Sequence, residues 1–312
     1  MGVPILMFEI LCAVTRLQGL PQRKLDLVEY FCGVATITQN FRLAGFCGIG
    51  YDIDKDNIHN DLCLPQGFLC ALRLLQSLSA RGLAWFATVC SSWVWMSRST
   101  TGRGDNPMGF AAYRNLKTGA LENSLPTLSA WQGNVQVARS ALLMCFAAAV
   151  GATWILEQPV TSIMDQSRCL QHLKSLGTNF GYYSTKTWMG AFGTATSKPT
   201  YLISNKRWVK SLMRPMPEIA DAERVVLKSK RADGSNAVTG IAKALKSTQA
   251  YSWSFGEAVL DGYVFHCAEE SDDIVPELPI MREPTSLWDD AELDRVLTFL
   301  HGTSMEDLYR DR

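Results

Sequence analysis

Four short stretches of the chain carry residues whose types and spacing could do chemistry. The first is Glu29-Tyr30-Phe31-Cys32-Gly33-Val34-Ala35, an apolar run ending in small residues. A strand that runs into such a turn and then into a helix lets a ligand approach the backbone, where N–H groups at the helix start can bind it. Gly33 is the single glycine of that turn, so the full dinucleotide fingerprint is missing. The second stretch, Tyr51-Asp52-Ile53-Asp54, follows about 20 residues later. An acid at the end of a second strand can accept hydrogen bonds from ribose hydroxyls. Together the two point to a nucleoside-containing cofactor, with Asp52 as a plain turn residue the alternative. The third stretch is Ala87-Thr88-Val89-Cys90-Ser91-Ser92-Trp93. A thiol reacts as its thiolate, and Arg98 or Arg103 in the following loop could favour that form. Trp93 and Trp95 could offer a stacking face to a base. The fourth, Trp154-Ile155-Leu156-Glu157-Gln158-Pro159, carries an acid where a strand ends. Cys90 can also be read as a core thiol, and Glu157 as a helix-cap neighbour or surface acid.

The elements that must position these residues alternate from residue 24 onward. Leu25–Phe31, Cys47–Ile53, Gly82–Val89 and Trp154–Leu156 read as strands. Thr36–Leu43, Gly67–Leu78, Trp131–Val150 and Ser162–Leu176 read as helices. Thr185–Phe192 and Thr200–Ser204 look like a closing hairpin. Ser91–Glu122 has no clear period and reads as a long loop of the kind that serves as a lid. Strand–helix–strand order predicts an α/β fold: a doubly wound, mostly parallel sheet with helices on both faces. Such sheets bind ligands at the carboxyl ends of their strands, where all four stretches fall.

Composition narrows the class. With 47% hydrophobic and 19% charged residues, the chain is too apolar to be disordered throughout. Lysine plus arginine equal aspartate plus glutamate at 30 each, but the charges are segregated. Residues 195–250 hold 11 basic residues against 4 acids, whereas 257–312 hold 4 against 15. The middle segment could face a polyanion that the tail would repel. Nine cysteines with no Cys-x-x-Cys and four dispersed histidines argue against a structural metal and for a reduced, intracellular protein, nuclear or cytoplasmic. Cys32, Cys47 and Cys145 read as packing residues. No run approaches the roughly 18 apolar residues of a membrane span. The expected organisation is a leader at 1–23 outside the core, a Rossmann-like domain at 24–205, a basic extension at 206–268 that packs on or completes it, and an acidic, partly disordered tail at 269–312.

The stretch EYFCGVATITQNFRLAGFCGIGYDIDKD resembles the opening of DNA cytosine-5 methyltransferases, with a Phe-x-Gly turn, a helix ending Ala-Gly-Phe and an acid-Ile-Asp at the second strand end. The similarity covers about residues 25–205. It implies the class I methyltransferase fold with S-adenosylmethionine as cofactor. By matched position, Phe31 and Gly33 would line the cofactor, Asp52 would hold the ribose, Ile53 would lie against the adenine, and Asp61 would stand for a Gly-Asp motif that contacts the adenine. Val89-Cys90 resembles the family's Pro-Cys pair, and Glu157-Gln158-Pro159 its Glu-Asn-Val or Glu-Asn-Pro strand end. The resemblance thus implies Cys90 as the nucleophile that adds to cytosine C6, and Glu157 as the acid that contacts the base. Nucleic acid is then the expected partner, DNA before RNA, with the target base flipped out of the duplex. Two other expectations stay open. One is the same fold methylating RNA, a protein or a small molecule. The other is a catalytically inactive nucleic-acid-binding remnant of a mobile-element or phage-type enzyme.

Overall fold

Alternation along the first strand sends Leu27 and Glu29 to one side of a sheet and Val28 and Tyr30 to the other, all four fully buried. A strand covered on both faces needs apolar residues at nearly every position, which is why these runs read as continuous rather than alternating. The computed structural model describes residues 25–104, 106–110, 112–114, 117, 119, 121–123, 125–194, 196–218, 226–230, 236–240 and 249–269. The leader at 1–23 and the tail beyond residue 269 lie outside them.

Six strands form the main sheet: β1 (Leu25–Tyr30), β2 (Gly48–Tyr51), β3 (Leu78–Phe86), β6 (Thr153–Pro159), β7 (Tyr183–Trp188) and β8 (Pro199–Ser204), in the order β2-β1-β3-β6-β8-β7. β1 pairs in parallel with β2 and β3, and β3 with β6. β8 runs antiparallel between β6 and β7. The α/β, mostly parallel sheet expected from the sequence is therefore present, closed by a hairpin. Two small ribbons are separate from it: β4 (Ala112–Arg114) with β5 (Leu121–Asn123), and β9 (Val226–Lys230) with β10 (Asn236–Gly240).

Helices cover both faces. On one side α2 (Pro65–Gln76), α4 (Leu128–Ala149) and α5 (Arg168–Phe180) bury Phe68, Leu72, Val137, Met144 and Leu170 against Tyr30, Phe86 and Trp154. On the other, α1 (Thr36–Leu43) and α6 (Trp253–Glu269) bury Ile37, Phe41, Phe255 and Val259 against Leu27, Trp85 and Ile155. The turn Arg207–Leu212 joins this second cluster through Trp208, Val209 and Leu212. α2 opens with Pro65 in its first turn, and Thr127 and Ser167 cap α4 and α5 through the N–H of Ala130 and Leu170.

Several boundaries differ from the sequence reading, each for a tertiary reason. Glu157-Gln158-Pro159 does not close β6 but stays in the ladder, because β8 reaches far enough to pair Glu157 with Leu202 and Pro159 with Thr200. The helix expected from Ser162 begins at Arg168, since the Ser162 hydroxyl turns back to donate to the Gln158 amide oxygen at 3.0 Å. The region 91–122 is not bare loop among its described residues. It holds a single turn at Trp95–Ser97, the one-turn helix α3 (Arg98–Thr101) and the β4–β5 ribbon.

Candidate functional site at the carboxyl edge of the sheet

The turn leaving β1 holds two of the three non-glycine residues at positive φ in the described chain. Phe31, Gly33 and Ala35 lie at φ of 58°, 50° and 59°, all left-handed. For the non-glycine residues Phe31 and Ala35 this costs roughly 1 kcal/mol or more each, so the surroundings must enforce it. Two carboxylates do so. Asp52, just past β2, accepts from the Gly33 N–H at 2.7 Å and from the Asp54 N–H at 3.0 Å. Glu29, on β1, stands beneath the uncapped start of α1 and accepts from the Thr38 N–H at 2.8 Å and hydroxyl at 2.6 Å. A carboxylate here answers the positive end of the helix in place of a capping side chain.

Glu29 is fully buried and one of its oxygens has no partner, so burial pushes its pKa up to about 7, with the Thr38 bonds pulling the other way. A carboxyl that holds its proton more tightly folded than unfolded destabilises the fold as pH rises from about 4.5 to about 7. The full effect is roughly 3 kcal/mol. Glu29→Gln should therefore flatten the pH dependence of urea unfolding between pH 5 and pH 8 and leave the variant more stable than wild type at pH 8. An unchanged slope would show that Glu29 is not the titrating group.

Cys90 follows β3 on the same edge and is partly buried. Burial, then the Glu157 carboxylate, push its thiol up to about 11, and the Lys198 ammonium pulls it down. Glu157 is 6% exposed, and one of its oxygens lies 3.4 Å from Lys198 Nζ. The strand-end loop is held beside β6 by Gln158, whose amide donates to the Thr88 carbonyl at 2.7 Å. Opposite, Tyr251 precedes α6, and its hydroxyl accepts from Trp85 Nε1 at 3.1 Å. Burial and the Glu157 charge raise its phenol well above the ordinary value. The arrangement is a thiol, a carboxylate, an ammonium and a phenol on one rim, beside a turn with exposed backbone.

The residues singled out in the sequence fare differently. Cys90 and Glu157 stand on neighbouring strand ends, and Asp52, past β2, holds the turn of Phe31 and Gly33. Gly33 has open space where a side chain would stand, and Ile53 is 49% exposed beside it. Asp61 accepts from the Cys63 N–H at 2.8 Å and shapes the entry to α2, where its carbonyl leaves no room for any residue but Gly67. Trp93 is not a stacking face, because it is fully buried beneath the Arg103 guanidinium at 3.4 Å. Arg103 does not serve Cys90 either. It donates to the carbonyls of Pro107 and Ala130 and to the Ser92 hydroxyl, which fastens the loop onto α4. Trp95, 43% exposed, remains available to a ligand. Lys198 belongs to the basic segment 195–250 that the sequence offers to a polyanion, not to Glu157, and Tyr251 carries no sequence signal of a role.

Among the described residues no group of three or more histidines, cysteines or acids is placed to hold a metal ion, and no helix is long and apolar enough to cross a membrane. No family model, no curated protein and no solved structure matches this chain.

Proposed function

We propose that this protein is an S-adenosylmethionine-dependent methyltransferase that acts on cytosine C5 in DNA through a covalent Cys90 adduct. The observation that carries the reading is that the loop bearing Cys90 is tied beside Glu157, through β3–β6 pairing and the Gln158–Thr88 hydrogen bond, on the sheet edge that also bears the left-handed turn and Asp52. The reversed β8 between β6 and β7 agrees with the class I methyltransferase fold implied by the resemblance.

The residues present fit the cofactor. The open space over Gly33 admits a ligand against the backbone, Asp52 keeps acceptor capacity beyond its two N–H partners, and exposed Val34 and Ile53 offer apolar cover. Phe31, Gly33, Asp52 and Ile53 would hold it, and when bound it supplies an electrophilic methyl group. Asp61 is left out of that set because its carboxylate shapes a turn.

The chain's own residues handle the base. Cys90 rests as a thiol, so attack on C6 requires its proton to leave. Glu157 can take that proton and return it as a hydrogen bond to the N3 edge of the base, where negative charge develops. Lys198 holds Glu157 in place and favours the thiolate. Once C5 carries the methyl group, loss of the C5 proton to water, return of the N3 proton to Glu157 and expulsion of the thiolate restore the aromatic ring and free the enzyme.

Incubation with tritiated S-adenosylmethionine and cytosine-containing DNA tests the reading. Label is expected in 5-methylcytosine after digestion. Label found only in RNA, protein or small molecules would overturn the acceptor while keeping the cofactor.

A further inference from the structure

At the opposite, amino edge of the sheet lies a cleft of about 630 Å³, lined by Tyr183, Arg207, Trp208, Phe265 and His266 among others. It is a full strand length, about 20 Å, from Cys90 along β8. Its lining contains no aspartate or glutamate. Arg207 is exposed at its mouth, and the Lys210 ammonium sits 5.9 Å over the Tyr183 ring. Phe265 is 63% exposed, an unusual position for a phenylalanine in the middle of a polar rim. Trp208 and His266 lie with ring centres 6.0 Å apart, and the buried Trp208 Nε1 has no hydrogen-bond partner.

We propose that this cleft binds single-stranded nucleic acid, with bases stacked on Phe265 and Tyr183 and phosphates on Arg207 and Lys210. Aromatic faces interleaved with cations are how proteins hold unpaired strands without reading their sequence. The site stands independently of the methyl-transfer reading, since it shares no residue with the carboxyl edge. An acidic peptide would use the cations but would leave Phe265 without purpose.

The test is fluorescence anisotropy of a fluorescein-labelled twelve-nucleotide deoxythymidine strand with the full chain, without cofactor, at several salt concentrations. Phe265→Ala is expected to weaken binding roughly 5- to 100-fold without changing the melting temperature. Arg207→Gln should lower the slope of log affinity against log salt by about 0.7, the value of one single-strand phosphate contact. The proposal fails if the strand does not bind the full chain even at low salt, or binds equally well to Phe265→Ala. It also fails if a peptide spanning residues 269–290 saturates the cleft and the strand cannot displace it.

Discussion

Cys90→Ser is expected to abolish the denaturant-resistant complex between this protein and a 5-fluorodeoxycytidine oligonucleotide in the presence of S-adenosylmethionine. Fluorine at C5 cannot leave as a proton does, so the adduct between thiol and C6 persists and survives denaturing electrophoresis. Serine is nearly isosteric but far less nucleophilic, so the fold stays while the covalent band disappears. The neighbours make the test sharper. Glu157 raises the thiol pKa and Lys198 lowers it. Glu157→Gln should therefore speed alkylation of Cys90 by iodoacetamide, read by peptide mass spectrometry, because the thiolate becomes more abundant. The same substitution should slow adduct formation, because no carboxyl remains to accept the proton and engage the base. Lys198→Met should slow both. In the wild type only about one thiol in a thousand is ionised at pH 8, so alkylation should rise about tenfold per pH unit up to about pH 10. A covalent band that persists in Cys90→Ser would remove Cys90 from the reaction. Parallel movement of the two rates in Glu157→Gln would remove Glu157.

Asp52→Ala carries the other large effect. Wild-type protein titrated with S-adenosylmethionine in a calorimeter should bind it, and the variant should bind at least 30- to 100-fold more weakly. The reasoning adds two losses. The ribose hydroxyls lose a charged acceptor, which is worth about 1.5–3 kcal/mol. The Gly33 N–H and the Asp54 N–H lose theirs as well, which releases the turn that Phe31 and Ala35 hold at positive φ. Asp52→Asn separates the two, since an amide oxygen can still accept from Gly33 while the charge is gone. It should fall between wild type and alanine. Absence of heat or protection with the wild type at millimolar cofactor would end the cofactor proposal, whatever the variants do.

Lys198 and Tyr251 show what sequence reading misses. Trp85 and Tyr251 are 166 residues apart, and their hydrogen bond exists because α6 returns across the face already covered by α1. Lys198 meets Glu157 because β8 runs back antiparallel and puts the residue before Pro199 at the carboxyl edge. Nothing local to either residue encodes that meeting. The same holds in reverse for Trp93 and Arg103, whose nearness to Cys90 in sequence suggested a shared task. A buried cation–ring contact turns both into the fastening of a loop.

The order of strands and helices and the edge on which ligands would gather were written locally. Burial on both sheet faces demands unbroken apolar runs, and helix starts need caps or prolines, so those signals survive in a single chain. Strand register, the extent of β6, the unmatched cleft at the amino edge and the charges around Cys90 arose only on folding. Each depends on which distant segments share a face, and a side chain's ionisation answers to whatever neighbour the packing delivers.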